Sequence, residues 1–252
     1  MKKLYEKSEL TLTLILIAVY TVSQSLAPRL NAAIGVQYSA SMFLMIALTA
    51  VLAVFSVKSG LQKKFGLCKA NVPAARFLWF IPLVILVSRS LWLGAAANLT
   101  AWDLVCYLGA MLCVGFVEEL LFRGMLFRVL EKDNHTMAVI VSSVTFGLGH
   151  ILNMFNGMQS DWMAGICQIV GAMAIGFLFV VIFDRGGSLW PCILAHSAIN
   201  MVSAFANDAA LQAQPWLRVA MTGALLAIIA LYLLYLNRSL PKKSPAGVRA
   251  SA

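Results

Sequence analysis

Charged residues are scarce in this sequence. Only 12% of its 252 residues are charged and 61% are hydrophobic, whereas soluble domains have roughly 25% charged and 45–50% apolar residues. Together with a mean hydropathy of +0.86, this composition excludes a soluble globular enzyme. The sequence also lacks the phosphate-binding patterns GxGxxG and the P-loop, and its five cysteines show no CxxC or CxH spacing. We therefore expect the cysteines to pack as small hydrophobic side chains.

Long apolar runs dominate the sequence. They lie near 10 to 26, 38 to 57, 76 to 94, 104 to 130, 137 to 153, 163 to 183, 188 to 205 and 216 to 236. A helix needs about 20 mainly apolar residues to cross a bilayer, and backbone groups in lipid must bond internally. Residues 1–240 are therefore predicted to form an all-α, polytopic transmembrane bundle of about eight helices. The segment 241–252 has too little apolar surface to pack, and we expect a disordered cytoplasmic tail there.

Positive charge is concentrated in loops on one predicted side of the membrane. With the N-terminus inside, all of the nineteen Lys and Arg except Arg29, Arg89 and Arg218 fall on the cytoplasmic side. Because cytoplasmic loops retain Lys and Arg, we expect an inner (cytoplasmic) membrane protein with both termini in the cytoplasm. This orientation places Glu118 and Glu119 toward the cytoplasmic half. The net charge of +9 lies in loops, so we expect no nucleic acid partner.

The first polar cluster lies in the fourth apolar run, where Glu118, Glu119 and Arg123 form the pattern EExxxR. Ionisable residues inside a membrane indicate a functional site by default. Adjacent helical residues point about 100° apart, while Glu119 and Arg123 share one face as an i, i+4 pair. We expect Arg123 to hold Glu119 ionised and Glu118 to face a cavity as a base, although the sequence leaves open which glutamate is the base. The alternative is an ordinary ion pair at a helix end.

Two further i, i+4 pairs follow on later apolar runs. Phe146 and His150 share a helix face in FxxxH, where Gly147 and Gly149 are predicted to let another helix approach closely. The pattern HxxxN places His196 and Asn200 on one stripe. The alternative for each pair is a hydrogen bond that only joins two helices. The third histidine, His135, lies in a charged loop, and we expect it to contact only solvent.

In this order on successive membrane helices, the three patterns resemble the CPBP family, the CAAX protease and bacteriocin-processing (ABI) membrane proteins. The motifs span 118–200, and the preceding helices are comparable only in hydropathy and number. The resemblance implies that 1–240 is an intramembrane endopeptidase domain, related to the protease that trims prenylated CAAX proteins. The family's functional positions fall on Glu118, Glu119, Arg123, Phe146, His150, His196 and Asn200.

These residue types can cleave an amide without a nucleophilic Ser or Cys. A carboxylate removes a proton from water, and hydrogen-bond donors stabilise the oxyanion of the tetrahedral intermediate. Our hypothesis is that Glu118 and His150 activate the water, while His196 and Asn200 donate to the oxyanion. Glu119 and Arg123 would hold the fourth helix in register.

A metal-dependent version uses the same side chains. Two histidines and a glutamate form many catalytic zinc sites, and Glu118, His150 and His196 supply that ligand set. The HExxH spacing of many zinc proteases is missing, and Asn200 is a poor zinc ligand that suits an oxyanion site. The sequence therefore favours hydrolysis with no cofactor, with Zn²⁺ as the alternative.

Two other classes of function remain open. One is a non-catalytic membrane scaffold or bacteriocin self-immunity protein, in which the polar cluster only ties helices together. The other is a small transporter with the glutamates and histidines as a proton relay, although no two-halved layout of interrupted helices is visible. For the protease, the partners are the lipid bilayer and a membrane-associated peptide or protein substrate. The sequence does not indicate the side chains around the cleaved bond or the oligomeric state.

Overall fold

The computed structural model describes residues 1–155 and 161–240, so the predicted tail 241–252 lies outside the described residues. Within these ranges the chain is helical. Strand-like pairing in the described part is limited to one isolated bridge between Ala95 and Ala206. The structure therefore confirms the predicted all-α bundle.

The helices are numbered here in chain order. They are α1 (Lys2–Lys7), α2 (Glu9–Ile34), α3 (Ser39–Lys58), α4 (Ile81–Ser88), α5 (Ala101–Leu130), α6 (His135–Gly149), α7 (Ile151–Phe155), α8 (Trp162–Gly186), α9 (Trp190–Val202), α10 (Asp208–Ala213) and α11 (Trp216–Ser239). Of these, α5 is unusual because it widens into a π-helix over Leu120–Phe127, where the hydrogen bonds close a larger turn than in an α-helix.

Capping residues fix several of the helix ends. Ser8, Thr100 and Asn134 each accept a hydrogen bond from a backbone N–H in the first turn of α2, α5 and α6, respectively. Such caps satisfy donors that a helix leaves unpaired at its start. At the ends of α2 and α8, Gly35 and Gly187 adopt left-handed φ angles of 80° and 73°. Glycine adopts this conformation at little steric cost, so the chain can turn back there.

Ion pairs and backbone contacts gather one set of helix ends at a face that we call the basic end. Lys64 and Lys132 both bind the Glu9 carboxylate, at 2.6 and 2.9 Å. Arg76 Nη1 donates to the carbonyl oxygen of Ser239 at 3.1 Å. The start of α2, the loop after α3, the loop after α5 and the end of α11 therefore lie together.

The other helix ends meet at what we call the opposite end. The backbone N–H of Gln37, between α2 and α3, donates to Asp103 Oδ1 at 2.8 Å. Asn98 Nδ2 donates to the carbonyl oxygen of Ala206 at 2.9 Å. The loop after α2, the start of α5 and the segment after α9 are therefore neighbours.

Seven helical stretches of the described chain are long and apolar enough to cross a membrane, and the protein is an integral membrane protein. The seventh predicted run, 188 to 205, is not among these stretches, because it contains the shorter helix α9. Nevertheless α9 joins both ends of the bundle. Leu189 N donates to the carbonyl of Gly66, in the basic-end loop, at 2.8 Å, and Ala96 N donates to the carbonyl of Phe205 at the opposite end at 3.0 Å.

The third predicted run, 76 to 94, is not one regular helix. Its first part lies in a turn over Ala74–Phe80, in which Leu78, Trp79 and Phe80 have φ angles of 51°, 48° and 60°. Left-handed φ angles are costly for residues with a side chain, at roughly 1–2 kcal/mol each. The regular helix α4 therefore starts only after this turn, about five residues into the apolar run.

Close helix contacts explain two glycines near the site. A Cβ atom at Gly115 on α5 would lie 2.7 Å from the backbone N of Ser197 on α9. A Cβ atom at Gly147 on α6 would lie 2.9 Å from the backbone N of Met173 on α8. Gly147 therefore permits the predicted close approach, whereas Gly149 has nothing within 4 Å of the corresponding position, so that part of the prediction was wrong.

Candidate active site

Two neighbouring carboxylates lie inside the bundle, at the last regular turn of α5 before the π-helix. Glu119 is fully buried, and Glu118 is 9% exposed. As neighbours on a helix they point in different directions, as predicted. Glu119 points to Arg123 on its own helix, whereas Glu118 lines a cavity.

The predicted i, i+4 ion pair is present. Arg123 Nη1 lies 3.0 Å from Glu119 Oε1, and both side chains are completely buried. The Arg123 guanidinium also stacks over the Phe146 ring, with its central carbon 4.0 Å from the ring centroid. Arginine prefers such aromatic faces when it is withdrawn from water. Phe146 therefore supports the cation of the ion pair from the neighbouring helix α6.

The ion pair is not fully satisfied by hydrogen bonds. Within the described residues, Glu119 Oε2 and the Nε and Nη2 atoms of Arg123 have no hydrogen-bond partner. Buried polar atoms without partners cost free energy and are uncommon outside functional sites. Arg123 lies within the π-helical turn, and this widened type of turn is frequent at functional sites.

His196 lies between the two carboxylates. Its Nδ1 atom is 2.8 Å from Glu119 Oε1, and its Nε2 atom is 3.3 Å from Glu118 Oε2. The contact with Glu119 has hydrogen-bond geometry, whereas the longer contact with Glu118 is a close approach of the two groups. His196 therefore brings the imidazole of α9 against both carboxylates of α5.

Tyr20 on α2 completes the surroundings of Glu118, and the sequence did not identify it as a site residue. Its hydroxyl donates a hydrogen bond to Glu118 Oε1, and Gln24 Nε2 donates to the same hydroxyl at 3.3 Å. Tyr20 and Gln24 are an i, i+4 polar pair in an apolar run, the same type of signal as His196 and Asn200. That pattern was available in the sequence, but the contact with Glu118 spans 98 positions of the chain.

His150 ends α6 beside these groups. Its Nδ1 atom is 3.2 Å from the carbonyl oxygen of Phe146, and the two rings meet edge to face at 5.4 Å. In the described chain no hydrogen bond joins His150 to Glu118, but both line the same cavity. Catalytic contacts often shorten only when substrate binds, so the missing direct bond does not count against a joint role of the two residues.

Asn200 is held through its backbone. The carbonyl oxygen of Asn200 accepts hydrogen bonds from the Tyr107 hydroxyl at 3.0 Å and from Ser203 Oγ at 2.7 Å. Its side chain lines the same cavity as Glu118 and His150. The structure thus brings all seven predicted site residues to one region of the bundle.

Two cavities meet at the site. The larger has a volume of about 740 Å³ and extends along α2 and α5 from Glu118 to the opposite end. The smaller, of about 390 Å³, is lined partly by Arg89 and Arg218. Both cavities are bounded by Phe146, His150, His196 and Asn200. A substrate could therefore extend to either side of these residues.

The mouth of the larger cavity is polar. Asn31, Gln37 and Tyr38 line it at the turn between α2 and α3. Burial raises the pKa of the Tyr38 hydroxyl above its ordinary value, and the nearby Asp103 carboxylate raises it further. Tyr38 therefore stays neutral at physiological pH and offers a hydrogen-bonding group at the mouth.

The zinc alternative meets a geometric difficulty. Glu118, His150 and His196 do not bring one ligand atom each within 4.8 Å of one another. Among the described residues, the group that does so is Glu131, His135 and Asp184, near the basic end. In this arrangement the three side chains are not grouped around one ion position, and the zinc alternative stays a prediction.

His135 differs from its prediction. Its side chain is half exposed, but its Nε2 atom lies 3.1 Å from Asp184 Oδ2, and its ring meets the edge of Phe127 at 5.9 Å. The expectation that His135 contacts only solvent was wrong, because α6 and α8 pack side by side and bring Asp184 beside it.

Comparison with known proteins finds similarity in the site region. Residues 99–202, which include all seven predicted site residues, match the model of the "Type II CAAX prenyl endopeptidase Rce1-like" family. The chain is also similar to a protein of Bacillus subtilis (strain 168) named "Putative membrane peptidase YdiL", with 32% identity over 85 residues. That alignment covers 33% of this chain and 30% of the relative. No solved structure matches the chain.

Proposed function

With the CPBP family supported by the match of its site region and by the similarity to a membrane peptidase, we propose that this protein is an intramembrane endopeptidase. It hydrolyses a peptide bond of a membrane-associated peptide or protein. The observation that carries the proposal is the position of the Glu118 carboxylate, which is held by Tyr20 and His196 at the wall of a cavity.

The proposed reaction starts with a water molecule between Glu118 and His150. Glu118 takes a proton from the water as its oxygen adds to the carbonyl carbon of the substrate, which gives a tetrahedral oxyanion. The proton then passes to the amide nitrogen, the C–N bond breaks, and a carboxyl and an amine are released. No nucleophilic side chain and no metal ion enters these steps.

Two donors are proposed to stabilise the oxyanion. The Asn200 amide has two N–H groups, and Asn200 lines the same cavity as Glu118. His196 contributes only if it carries two protons, because its Nδ1 atom already faces Glu119 at 2.8 Å. The Nε2 atom, at 3.3 Å from Glu118, makes the longer contact and is the one that can turn to an oxyanion.

The base is assigned to Glu118 rather than Glu119. Glu118 lines the cavity, whereas Glu119 is fully buried and bound to both Arg123 and His196. Glu119 and Arg123 then act as positioning residues, which fix the imidazole of His196 and the register of α5.

Peptide cleavage by the purified protein in detergent tests the proposal. A panel of fluorogenic membrane-associated peptides is compared for the wild type, Glu118→Ala and His150→Ala, with His135→Ala as a matched histidine control away from the cavity. We expect both site variants to lose cleavage and the control to retain it. Retained thermal unfolding profiles establish that the variants fold.

One observation favours the scaffold alternative. His196 of α9 contacts the buried ion pair of Glu119 and Arg123 on α5, and this contact joins the two helices. The same variants separate the two functions. If no peptide is cut, and Glu118→Ala and His150→Ala still support the phenotype that deletion of the protein abolishes, a scaffold or immunity function replaces the protease.

A further inference from the structure

The distribution of positive charge distinguishes the two ends of the bundle. At the basic end, Lys64, Arg76 and Lys132 make the contacts that join the helix ends there. Nearby loops and helix ends carry further cations of the described chain, namely Lys2, Lys3, Lys7, Lys58, Lys63, Lys69, Arg128, Arg185 and Arg238. The opposite end has Arg29, Arg89 and Arg218. Because Lys and Arg are retained in the cytoplasm during insertion, the basic end is the cytoplasmic one.

The cavities open at the other end. Along α2, the wall of the larger cavity continues from Tyr20 through Gln24 and Asn31 to the exposed residues Gly35 and Gln37 in the turn before α3. Glu118 lies about 25 Å along the axis of α5 from its start at the opposite end, at 1.5 Å per residue. The carboxylate is therefore reached through a deep cleft from the face with little positive charge.

The basic end is closed beneath the site. We call the buried rings of Phe65, Phe127 and Phe183 the aromatic floor; they are at most 1% exposed. Phe127 and Phe183 lie 6.2 Å apart by ring centroids, and a Cβ atom at Gly66 would collide with the Phe183 ring. In the described chain, no residue of the loops at 59–73 or 131–134 lines either cavity.

From this arrangement we infer that the catalytic cleft opens to the extracytoplasmic side of the membrane, and that the substrate is a peptide segment exposed on that side. The hydrolytic part of this inference rests on the proposed function, but the side of access does not. A chain anchored only on the cytoplasmic face, as a lipidated cytosolic protein is, meets the aromatic floor rather than the cleft. The substrate class is thus an exported or secreted peptide, or the extracytoplasmic end of a membrane protein.

Thiol labelling measures the side of access. The three cysteines that are not buried, Cys68, Cys113 and Cys167, are changed to alanine, and one cysteine is then introduced. Gln37→Cys marks the mouth of the cleft, and Lys63→Cys is the matched control at the basic end, since both positions are exposed. A membrane-impermeant maleimide is applied to spheroplasts and to inverted membrane vesicles of expressing cells. Labelling of both variants after solubilisation in detergent establishes that each thiol is reactive.

We expect Gln37→Cys to be labelled in spheroplasts and Lys63→Cys only in inverted vesicles. Labelling of Lys63→Cys in spheroplasts and of Gln37→Cys only in inverted vesicles overturns the inference. Equal labelling of each variant from both sides also overturns it, because it shows that the protein inserts in both orientations. This readout needs no substrate and no activity.

Cleavage from one side is the second measurement. A charged fluorogenic peptide that the detergent-solubilised enzyme cuts is supplied outside spheroplasts or outside inverted vesicles. Spheroplasts are expected to hydrolyse it roughly tenfold faster or more, because charged groups cross the hydrocarbon core at high cost. Faster hydrolysis by inverted vesicles overturns the inferred side of access but leaves the proposed protease function standing. If the thiols are labelled as expected but the solubilised protein hydrolyses no peptide, the proposed function is overturned and the inferred side of access stands.

Discussion

Removing one hydroxyl tests whether α2 takes part in catalysis. Tyr20→Phe keeps the ring in its buried position but deletes the hydrogen bond to Glu118. If Tyr20 positions the base, kcat of the substituted enzyme falls while KM stays close to the wild-type value. Tyr20 does not contact the reacting atoms in this scheme, so substrate binding has no reason to weaken.

The size of the effect follows from the type of bond. A hydrogen bond to a charged group contributes about 1.5–3 kcal/mol, and a buried acceptor left unpaired costs a similar amount. At about 1.4 kcal/mol for each factor of ten, full expression of this loss in the transition state lowers kcat roughly 10- to 150-fold. Gln24 donates to the Tyr20 hydroxyl and not to Glu118, so it does not replace the lost bond.

The assay is steady-state hydrolysis of the best peptide from the panel, with a matched control. Tyr232→Phe removes another buried hydroxyl, which donates to the carbonyl of Phe77 at 2.8 Å and not to a site residue. We expect the control to lose about 1 kcal/mol of stability and to keep its kcat. A pH profile of kcat for Tyr20→Phe that shifts relative to the control identifies a change in the titration of the base.

One result refutes the reasoning. If Tyr20→Phe cleaves at the wild-type rate while Glu118→Gln is inactive, the hydrogen bond between α2 and the base has no catalytic role. Equal losses of activity in Tyr20→Phe and Tyr232→Phe contradict it as well, because they point to general destabilisation.

Four further predictions concern the ion pair, the helix contacts, the oxyanion site and the metal. Arg123→Ala leaves Glu119 buried without its cation and lowers stability by about 3–5 kcal/mol, measured by thermal unfolding in detergent; an unchanged melting temperature contradicts this. Gly147→Val overpacks the contact between α6 and α8 at a cost of about 1–3 kcal/mol, whereas Gly149→Val, which meets open space, unfolds close to the wild-type temperature. Asn200→Ala lowers cleavage about a hundredfold or more, by roughly 3 kcal/mol, and undiminished cleavage removes the oxyanion role. Dialysis against a strong chelator leaves cleavage unchanged, and activity that is lost and then restored by zinc overturns the metal-free mechanism.

Much of the architecture is readable from the sequence because its signals are local. The apolar runs predict where helices lie, and the i, i+4 spacing of Glu119 and Arg123 predicts an ion pair that the structure contains at 3.0 Å. The same periodicity predicts that Phe146 and His150 share one helix face, and their rings are in edge-to-face contact. Each of these features is set by the geometry of a single helix.

Contacts between helices are not readable in this way. The spacing of residues in the sequence does not predict that Tyr20 contacts Glu118. It also does not predict that His196 lies between two carboxylates rather than facing only the cavity. Such pairings depend on which helices become neighbours and on their relative rotation. The left-handed turn at Leu78 is another example, because an apolar run there predicts a helix and only the surrounding structure imposes the turn.

The aromatic floor has a consequence for the permeability of the membrane. If the proposed cleft fills with water down to Glu118, the aromatic floor is the barrier that remains between the two sides of the membrane at this point. One charge moved across 100 mV releases about 2.3 kcal/mol, so continuous water past Phe127 would let protons leak across an energised membrane. The packed rings of Phe65, Phe127 and Phe183 keep this last layer dry. The proposed protease can thus admit water for hydrolysis without letting protons leak across the membrane.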